Sequence, residues 1–370
     1  MKKRAAILGA TGNVGFEVIE ALLDHPWVEI SHLFASERSV GREYKDVCKL
    51  GEASVPEKVA HMVVEDIKNL KTEDLDIIFS ALPAEEERKI GPKLAKELPV
   101  MSTTSAFRYE NDVPILITEV NSDHAELLRI QQKEGGWEGF IAPGPNCTTI
   151  NPSVTLKPLY STVGIKRVFL SSYQAVSGAG YEALKKWEEQ REKELPKPYP
   201  VTEIIENPDL TFEGNVIGYI KDEEPKVRRE TLKILGKYEN RRITPADFLI
   251  DPFCVRVPTY RGHLTAIFVK PIEPCSAEDV KSIYAEFNEQ CEKLYGDLPS
   301  SPKQTIVVLD RAPQPRWDVN LENGMAVIVG RIEISNGWIK YLALSDNLRK
   351  GAAKGVVQDM EYLLREAYIK

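Results

Sequence analysis

Cys147 stands in the run Pro143-Gly-Pro-Asn-Cys-Thr-Thr149, directly after an apolar stretch at 140–142, and the Pro and Gly mark a sharp turn. A cysteine displayed on such a turn is a candidate nucleophile, since the thiolate, not the thiol, attacks. Taken alone, a small buried hydrophobe is the commoner use of the residue. Two later segments hold polar groups at strand ends. Gln174-Ala-Val-Ser177-Gly178-Ala-Gly180 sets an amide beside a flexible glycine turn, and Arg256-Val-Pro-Thr-Tyr-Arg261-Gly-His263 carries a cation with a histidine seven residues later.

Near the start, Gly9-Ala-Thr11-Gly12-Asn13-Val14-Gly15 follows a short apolar strand and opens an amphipathic helix, the context a dinucleotide fingerprint requires. Glycines there let the backbone approach a pyrophosphate, whose charge meets free N–H groups at the helix start. The spacing is GxxGxxG, a variant of the commoner GxGxxG, and a turn without a ligand is the competing reading. About 20 residues further on, where an NAD-binding chain usually places Asp or Glu, the sequence reads Ser36-Glu37-Arg38. A hydroxyl and a guanidinium suit a 2′-phosphate, so NADP(H) is expected over NAD(H). Glu37 keeps the alternative open, a carboxylate facing the ribose.

These groups must be held by elements whose pattern changes along the chain. Up to residue 145, strand-like runs at 5–8, 28–35, 76–80, 99–102 and 140–142 alternate with helical patterns at about 14–24 and 84–97, which predicts a parallel sheet covered by helices. Past 150 come longer β-type runs at 164–175, 253–259, 264–269, 305–308 and 325–335. The expected class is therefore α/β, with an N-terminal Rossmann-type sheet and a second, α+β domain. The expected boundaries are 1–147, completed by a C-terminal helix over 346–370, and 148–345. The Glu-, Lys- and Pro-rich stretch 185–208 reads as an exposed helix and surface loop.

In this order, the glycine turn, Pro145-Asn-Cys147-Thr-Thr149, Gln174 with Ser177-Gly178, Glu224-Pro-Lys226, Arg256 and His263 resemble the aspartate-semialdehyde dehydrogenase family, in its archaeal and fungal branch. The resemblance implies NADPH-dependent reduction of aspartyl 4-phosphate to the semialdehyde through a thioester on Cys147, a step toward lysine, threonine, methionine and isoleucine. It implies that His263, titrating near neutrality, is general acid and base, and that Gln174 orients the acyl group. Arg256 would grip the α-carboxylate, Glu224 the ammonium group, and Arg108 with Lys226 the departing phosphate. Gly9, Thr11, Gly12, Asn13, Val14, Ser36, Arg38, Ser177, Gly178 and Asn347 would hold the cofactor. The resemblance also implies that the second domain serves catalysis and dimerisation, in a homodimer or dimer of dimers. One local signal points another way: Asn151-Pro152 suits an N-cap and first helical position, so the helix is expected to start after the cysteine, leaving activation to His263.

A related activity, malonyl-CoA reduction, uses the same thiol chemistry, but its substrate has no ammonium group for Glu224 to pair with. A glutamyl phosphate reductase would set its cysteine in a different turn. A third reading is an NADPH-binding protein without catalysis. Composition bounds all of these. The chain has 370 residues, 42% hydrophobic and 28% charged, enough for two globular domains. Its net charge of −8 argues against nucleic-acid binding. No apolar run is long enough to cross a bilayer, and the five cysteines show no metal-ligand spacing, so a cytoplasmic protein with reduced thiols and no metal is expected.

Overall fold

The computed structural model describes residues 2–192 and 210–370; the loop expected over 193–208 lies outside the described residues. Strands β1 (Lys3–Leu8), β2 (Val28–Ala35), β3 (Val64–Asp66), β4 (Ile77–Ser80), β5 (Val100–Ser102) and β6 (Ile141–Pro143) form one sheet in the order β3-β2-β1-β4-β5-β6. Every neighbouring pair is parallel. The central strands are buried on both faces, as apolar runs such as Ile77-Ile-Phe79 dictate. Strand order reverses between β1 and β4, and at such a switch point ligands bind beyond the carboxyl ends of the strands.

The second sheet takes strands β7 (Ile165–Gln174), β10 (Leu249–Arg256), β11 (His263–Pro271), β12 (Ile306–Leu309), β13 (Val327–Ser335) and β14 (Trp338–Ser345), in the order β10-β7-β11-β14-β13-β12; β8 (Lys237–Glu239) and β9 (Arg242–Thr244) form a separate hairpin. It is mixed: β7 and β10 run parallel, while β11 is antiparallel to both β7 and β14. The chain is thus α/β with a mixed-sheet second unit, as its pattern foretold. One face of this sheet packs on the helices α4 (Ile150–Thr162) and α7 (Ala277–Tyr295). The other exposes Phe169, Tyr173, Leu249, Phe253 and Phe268.

The remaining longer helices used below are α1 (Asn13–Leu22), α2 (Ala84–Leu94), α3 (Glu126–Gly135), α5 (Tyr181–Glu192), α6 (Glu223–Ile234) and α8 (Ala353–Arg365). Helix α8 returns to the first unit: Ala353, Val356, Val357, Met360 and Leu363 are buried in the core that also holds Phe16, Val18 and Ile19 of α1. Each such large side chain contributes roughly 1.5–3 kcal/mol of burial. Ile115, Ile117 and Val120 instead pack with α4 in the core of the second unit, so the division at 147 is crossed by the segment preceding α3.

Candidate active site

Cys147 opens a 3-10 turn, Cys147–Thr149, that runs straight into α4, and Asn146 caps it, its Oδ1 accepting from Thr148 N at 2.8 Å. The α-helix proper starts at Ile150, after the cysteine as expected, but it continues a 3-10 turn that opens at Cys147 and is capped by Asn146, not by Asn151. Asn151 lies inside the first turn, fully buried, and its Nδ2 donates toward His263 O (2.9 Å), Thr265 Oγ1 (3.0 Å) and Ala343 O (3.2 Å). It ties α4 to β11 instead of capping α4. Pro152 is tolerated because a first-turn residue has no intrahelical N–H bond to lose.

The tie brings two sequence-distant groups together. Cys147 Sγ lies 3.3 Å from His263 Nε2. On the other side of the ring, Nδ1 accepts from Ala175 N at 3.1 Å, which assigns the proton of the neutral imidazole to Nε2 and aims it at the sulfur. Burial and the neighbouring Arg256 hold the pKa of His263 well below its usual value. Against the expectation of a histidine titrating near neutrality, both influences favour the neutral ring, and protonating Nδ1 would set it against the Ala175 N–H. The thiol of Cys147 is pushed up to about 11 by burial and then by Glu223, against the lowering pull of Arg256, the Thr148 hydrogen bond and Arg108.

Glu223, not Glu224, is the carboxylate of the site. Glu223 accepts from Thr148 Oγ1 (2.8 Å), Gln174 Nε2 (3.1 Å) and Asn146 Nδ2 (3.2 Å). Glu224 points along α6 toward β10, where it accepts from Cys254 N at 3.1 Å. Helical geometry separates the two: positions 223, 226, 227 and 230 share a face, and 224 lies about 100° away. Glu230, one turn past Lys226 and fully buried, accepts from Asn146 N (2.6 Å) and pairs with Arg108 Nη1 (3.2 Å). Sequence reading missed Glu223 and Glu230, although their i, i+7 spacing with Lys226 between them marks one helix stripe.

Arg108 is buried, and its fork is largely used within the protein: it donates to Gly144 O, Thr103 O and Pro145 O besides Glu230. It braces the turn that presents Cys147 and, like Lys226, lines the cleft beside it. Arg256 is also buried, its Nη1 donating to Ala175 O at 2.8 Å. Among the described residues no carboxylate lies within ion-pair distance of it. A Cβ on Gly178 would stand 2.8 Å from Arg256 Nη1 and 2.9 Å from His263 Cε1, so any side chain there would displace one or both groups.

A cleft of about 280 Å³ joins these groups, walled by Asn13, Val14, Ser105, Arg108, Cys147, Ser177, Gly178, Lys226 and Asn347. One wall is the start of α1, Asn13 and Val14, which the glycine turn leads into. Gly9 has φ +78°, and a Cβ on Gly15 would meet Gly9 O at 2.3 Å, so strand and helix approach only because both residues lack side chains. Among the described residues no side chain caps α1 at Gly12, and the buried Asn13 Oδ1 has no hydrogen-bond partner. Uncapped N–H groups and an orphaned amide oxygen at a cleft fit a bound dinucleotide. Thr11 is buried in the same turn. Asn347 is committed to the wall: its Nδ2 donates to Ser177 Oγ (2.9 Å), and its Oδ1 accepts from Gly262 N (2.9 Å). At the end of β2, Ser36 and Arg38 are exposed beside a hollow of about 490 Å³. Glu37, the carboxylate that the sequence left as the alternative, pairs with Lys68 at the surface, a contact that offsets part of its charge.

Residues 4–128 match the family model described as semialdehyde dehydrogenase, NAD binding domain, and residues 156–350 that of the semialdehyde dehydrogenase dimerisation domain. An aspartate-semialdehyde dehydrogenase of Archaeoglobus fulgidus is 39% identical over the full length of both chains, and that of Methanothermobacter thermautotrophicus 37% identical over 96% of this chain and 97% of its own. The chain belongs to the aspartate-semialdehyde dehydrogenase family. The family's enzyme from Candida albicans, solved with NADP, superposes with a TM-score of 0.82 at 30% identity, covering all of both chains. A malonyl CoA reductase of Metallosphaera sedula is 30% identical over 99% of this chain and 98% of its own. The exposed aromatic face of the second sheet lies within the family's dimerisation domain, and among the described residues no helix is long and apolar enough to cross a membrane.

Proposed function

We propose that the chain reduces L-aspartyl 4-phosphate to L-aspartate 4-semialdehyde with NADPH, through a thioester on Cys147. The observation that carries this reading is the pairing of Cys147 Sγ with His263 Nε2 at 3.3 Å, within reach of both the cleft beside α1 and a buried Arg256 that has no ionic partner among the described residues. A buried guanidinium without an ionic partner is costly, and a substrate carboxylate would compensate it. Glu223 would take the ammonium group. Neutralising Glu223 in this way also removes one of the causes that hold the thiol protonated, so the correct substrate lowers the barrier to its own capture.

In the first step the sulfur attacks the acyl carbon and the bond to phosphate breaks; the thiol proton leaves with the phosphate as HPO₄²⁻, which balances the charge. Lys226 at the cleft wall stabilises that leaving group. His263 donates a hydrogen bond from Nε2 to the oxygen that becomes negative when the thioester carbonyl is reduced, acting as a neutral donor. NADPH, held by Gly9, Thr11, Gly12, Asn13, Val14, Ser177 and Gly178 with Ser36 and Arg38 toward the 2′-phosphate, supplies hydride when bound. Malonyl-CoA is disfavoured because it brings no cation to the buried Glu223. We also propose that the active form is a dimer or dimer of dimers formed through the exposed aromatic face.

Phosphate-dependent reduction of NADP by aspartate semialdehyde, run beside NADPH oxidation with malonyl-CoA, tests the reading. Activity on the CoA ester and none on the semialdehyde would reverse it.

A further inference from the structure

Arg261 takes no part in the chemistry above, yet it occupies the junction of three elements that do. It lies two residues before His263. Its Nη1 and Nη2 donate to the two oxygens of Glu17 at 2.8 and 3.1 Å, and its Nε donates to Asp346 Oδ2 at 2.7 Å. Glu17 sits on α1, one turn after the cleft residues Asn13 and Val14. Asp346 directly precedes Asn347, and its other oxygen accepts from Leu348 N and Arg349 N, fixing the loop whose residues 347, 348, 351 and 352 form the cleft wall. Gly351 in that loop stands so close to Cys147 that a Cβ there would be 3.0 Å from the cysteine's own.

Three independent bonds from one planar fork thus join the dinucleotide turn, the histidine strand and the loop behind the nucleophile. The carboxylates are nearly or wholly buried, with Glu17 8% and Asp346 0% exposed; Arg349 Nε also lies 3.6 Å from Glu17, so losing the fork leaves Glu17 with only that longer contact and Asp346 without an ionic partner among the described residues. A lysine, a single point charge, would reach one carboxylate at a time.

We infer that Arg261 is a positioning residue that sets the separation between the cofactor turn and the Cys147–His263 pair, so that occupancy of the cofactor cleft alters the reactivity of Cys147. This rests on the reading of the cleft as the NADP site. The test measures the alkylation rate of Cys147 by iodoacetamide with and without saturating NADP, in the wild type, Arg261→Lys, Glu17→Gln and the double variant, with NADP affinity followed by fluorescence titration. Wild type should show a ratio of about fivefold or more between the two states, and each variant should bring that ratio close to one while still binding NADP. The double variant should be no worse than either single one, since all three break the same joint. The primary deuterium isotope effect with labelled NADPH should rise in the variants, a shift that loss of fold alone would not produce. Should Arg261→Lys fail to fold, Glu17→Gln, which keeps the side-chain volume, carries the test. A wild-type ratio near one, a wild-type ratio retained in the variants, or additive losses would overturn the inference. Failure of wild type to bind NADP would overturn the reading of the cleft, and the inference with it.

Discussion

Glu223 faces Gln174, with Nε2 of the amide 3.1 Å from the carboxylate, while its sequence neighbour Glu224 turns away to the backbone of β10. Substituting Glu223→Gln should raise KM for the aspartyl substrate by about ten- to a hundredfold, as expected for loss of a charged hydrogen bond. Glu224→Gln should leave KM within about threefold. Steady-state kinetics on the two variants decide the matter, and the opposite ranking would return the ammonium site to Glu224.

Ionisation of the nucleophile gives a second test. With the thiol raised to about 11, alkylation of Cys147 in the free protein should quicken by about tenfold per pH unit between 7 and 9. Glu223→Gln, which removes a negative neighbour, should raise the rate at any fixed pH in that range. Cys147→Ser should lower turnover by at least about a thousandfold. A plateau in wild-type alkylation already at pH 7 would contradict the protonated thiol.

His263, held neutral by burial and Arg256, should contribute no limb near pH 6.5 to the kcat/KM profile. Because its task is donation from Nε2, His263→Gln, whose amide also donates, should retain more activity than His263→Ala, which should lose about a hundred- to a thousandfold. A limb near 6.5 that vanishes in His263→Gln would restore proton transfer to the histidine.

Much of this arrangement was legible in the sequence, and the misses share a cause. The glycine turn, the parallel strands and the α8 stripe are local patterns, carried by spacing within a dozen residues. By contrast, β10 begins at Leu249 where a strand was expected at 253, because Pro252 interrupts the run. The proline is tolerated since β10 is an edge strand, and edge position is a property of the sheet, not of the segment. The choice between Glu223 and Glu224 depended on which face of α6 meets the turn at 146–149. Asn151 looked like a cap by residue type, and only its contacts with β11 and β14 show it serving as a strut.

Cofactor choice can be read from Arg38. With Glu37 taken up by Lys68, Arg38→Ala should reduce the preference for NADPH over NADH by about tenfold, measured as the ratio of kcat/KM values. An unchanged ratio would remove Arg38 from the 2′-phosphate site.

Asp359 on α8 offers a stability test away from the cleft. Burial raises its pKa to about 7, against the lowering hydrogen bond from Thr118, whose N and Oγ1 both donate to Oδ1. The unfolded chain releases this proton near 3.8 and the folded chain holds it to about 7, so the contribution to stability is complete at low pH and declines as pH rises between the two values. Asp359→Asn keeps Oδ1 as acceptor and should flatten that part of the profile. The difference in Tm between variant and wild type, followed from pH 4 to 8, should grow in favour of the variant; a constant difference would refute the assignment.

The amide that faces His263 belongs to the main chain of residue 175. A peptide N–H is the same whichever side chain follows it, so a substitution that the buried site of Ala175 can accommodate leaves the ring's tautomer as it was. Only proline, which has no N–H, would abolish it. The protonation pattern beside the sulfur is therefore inherited with the course of the backbone, beyond the reach of ordinary substitution.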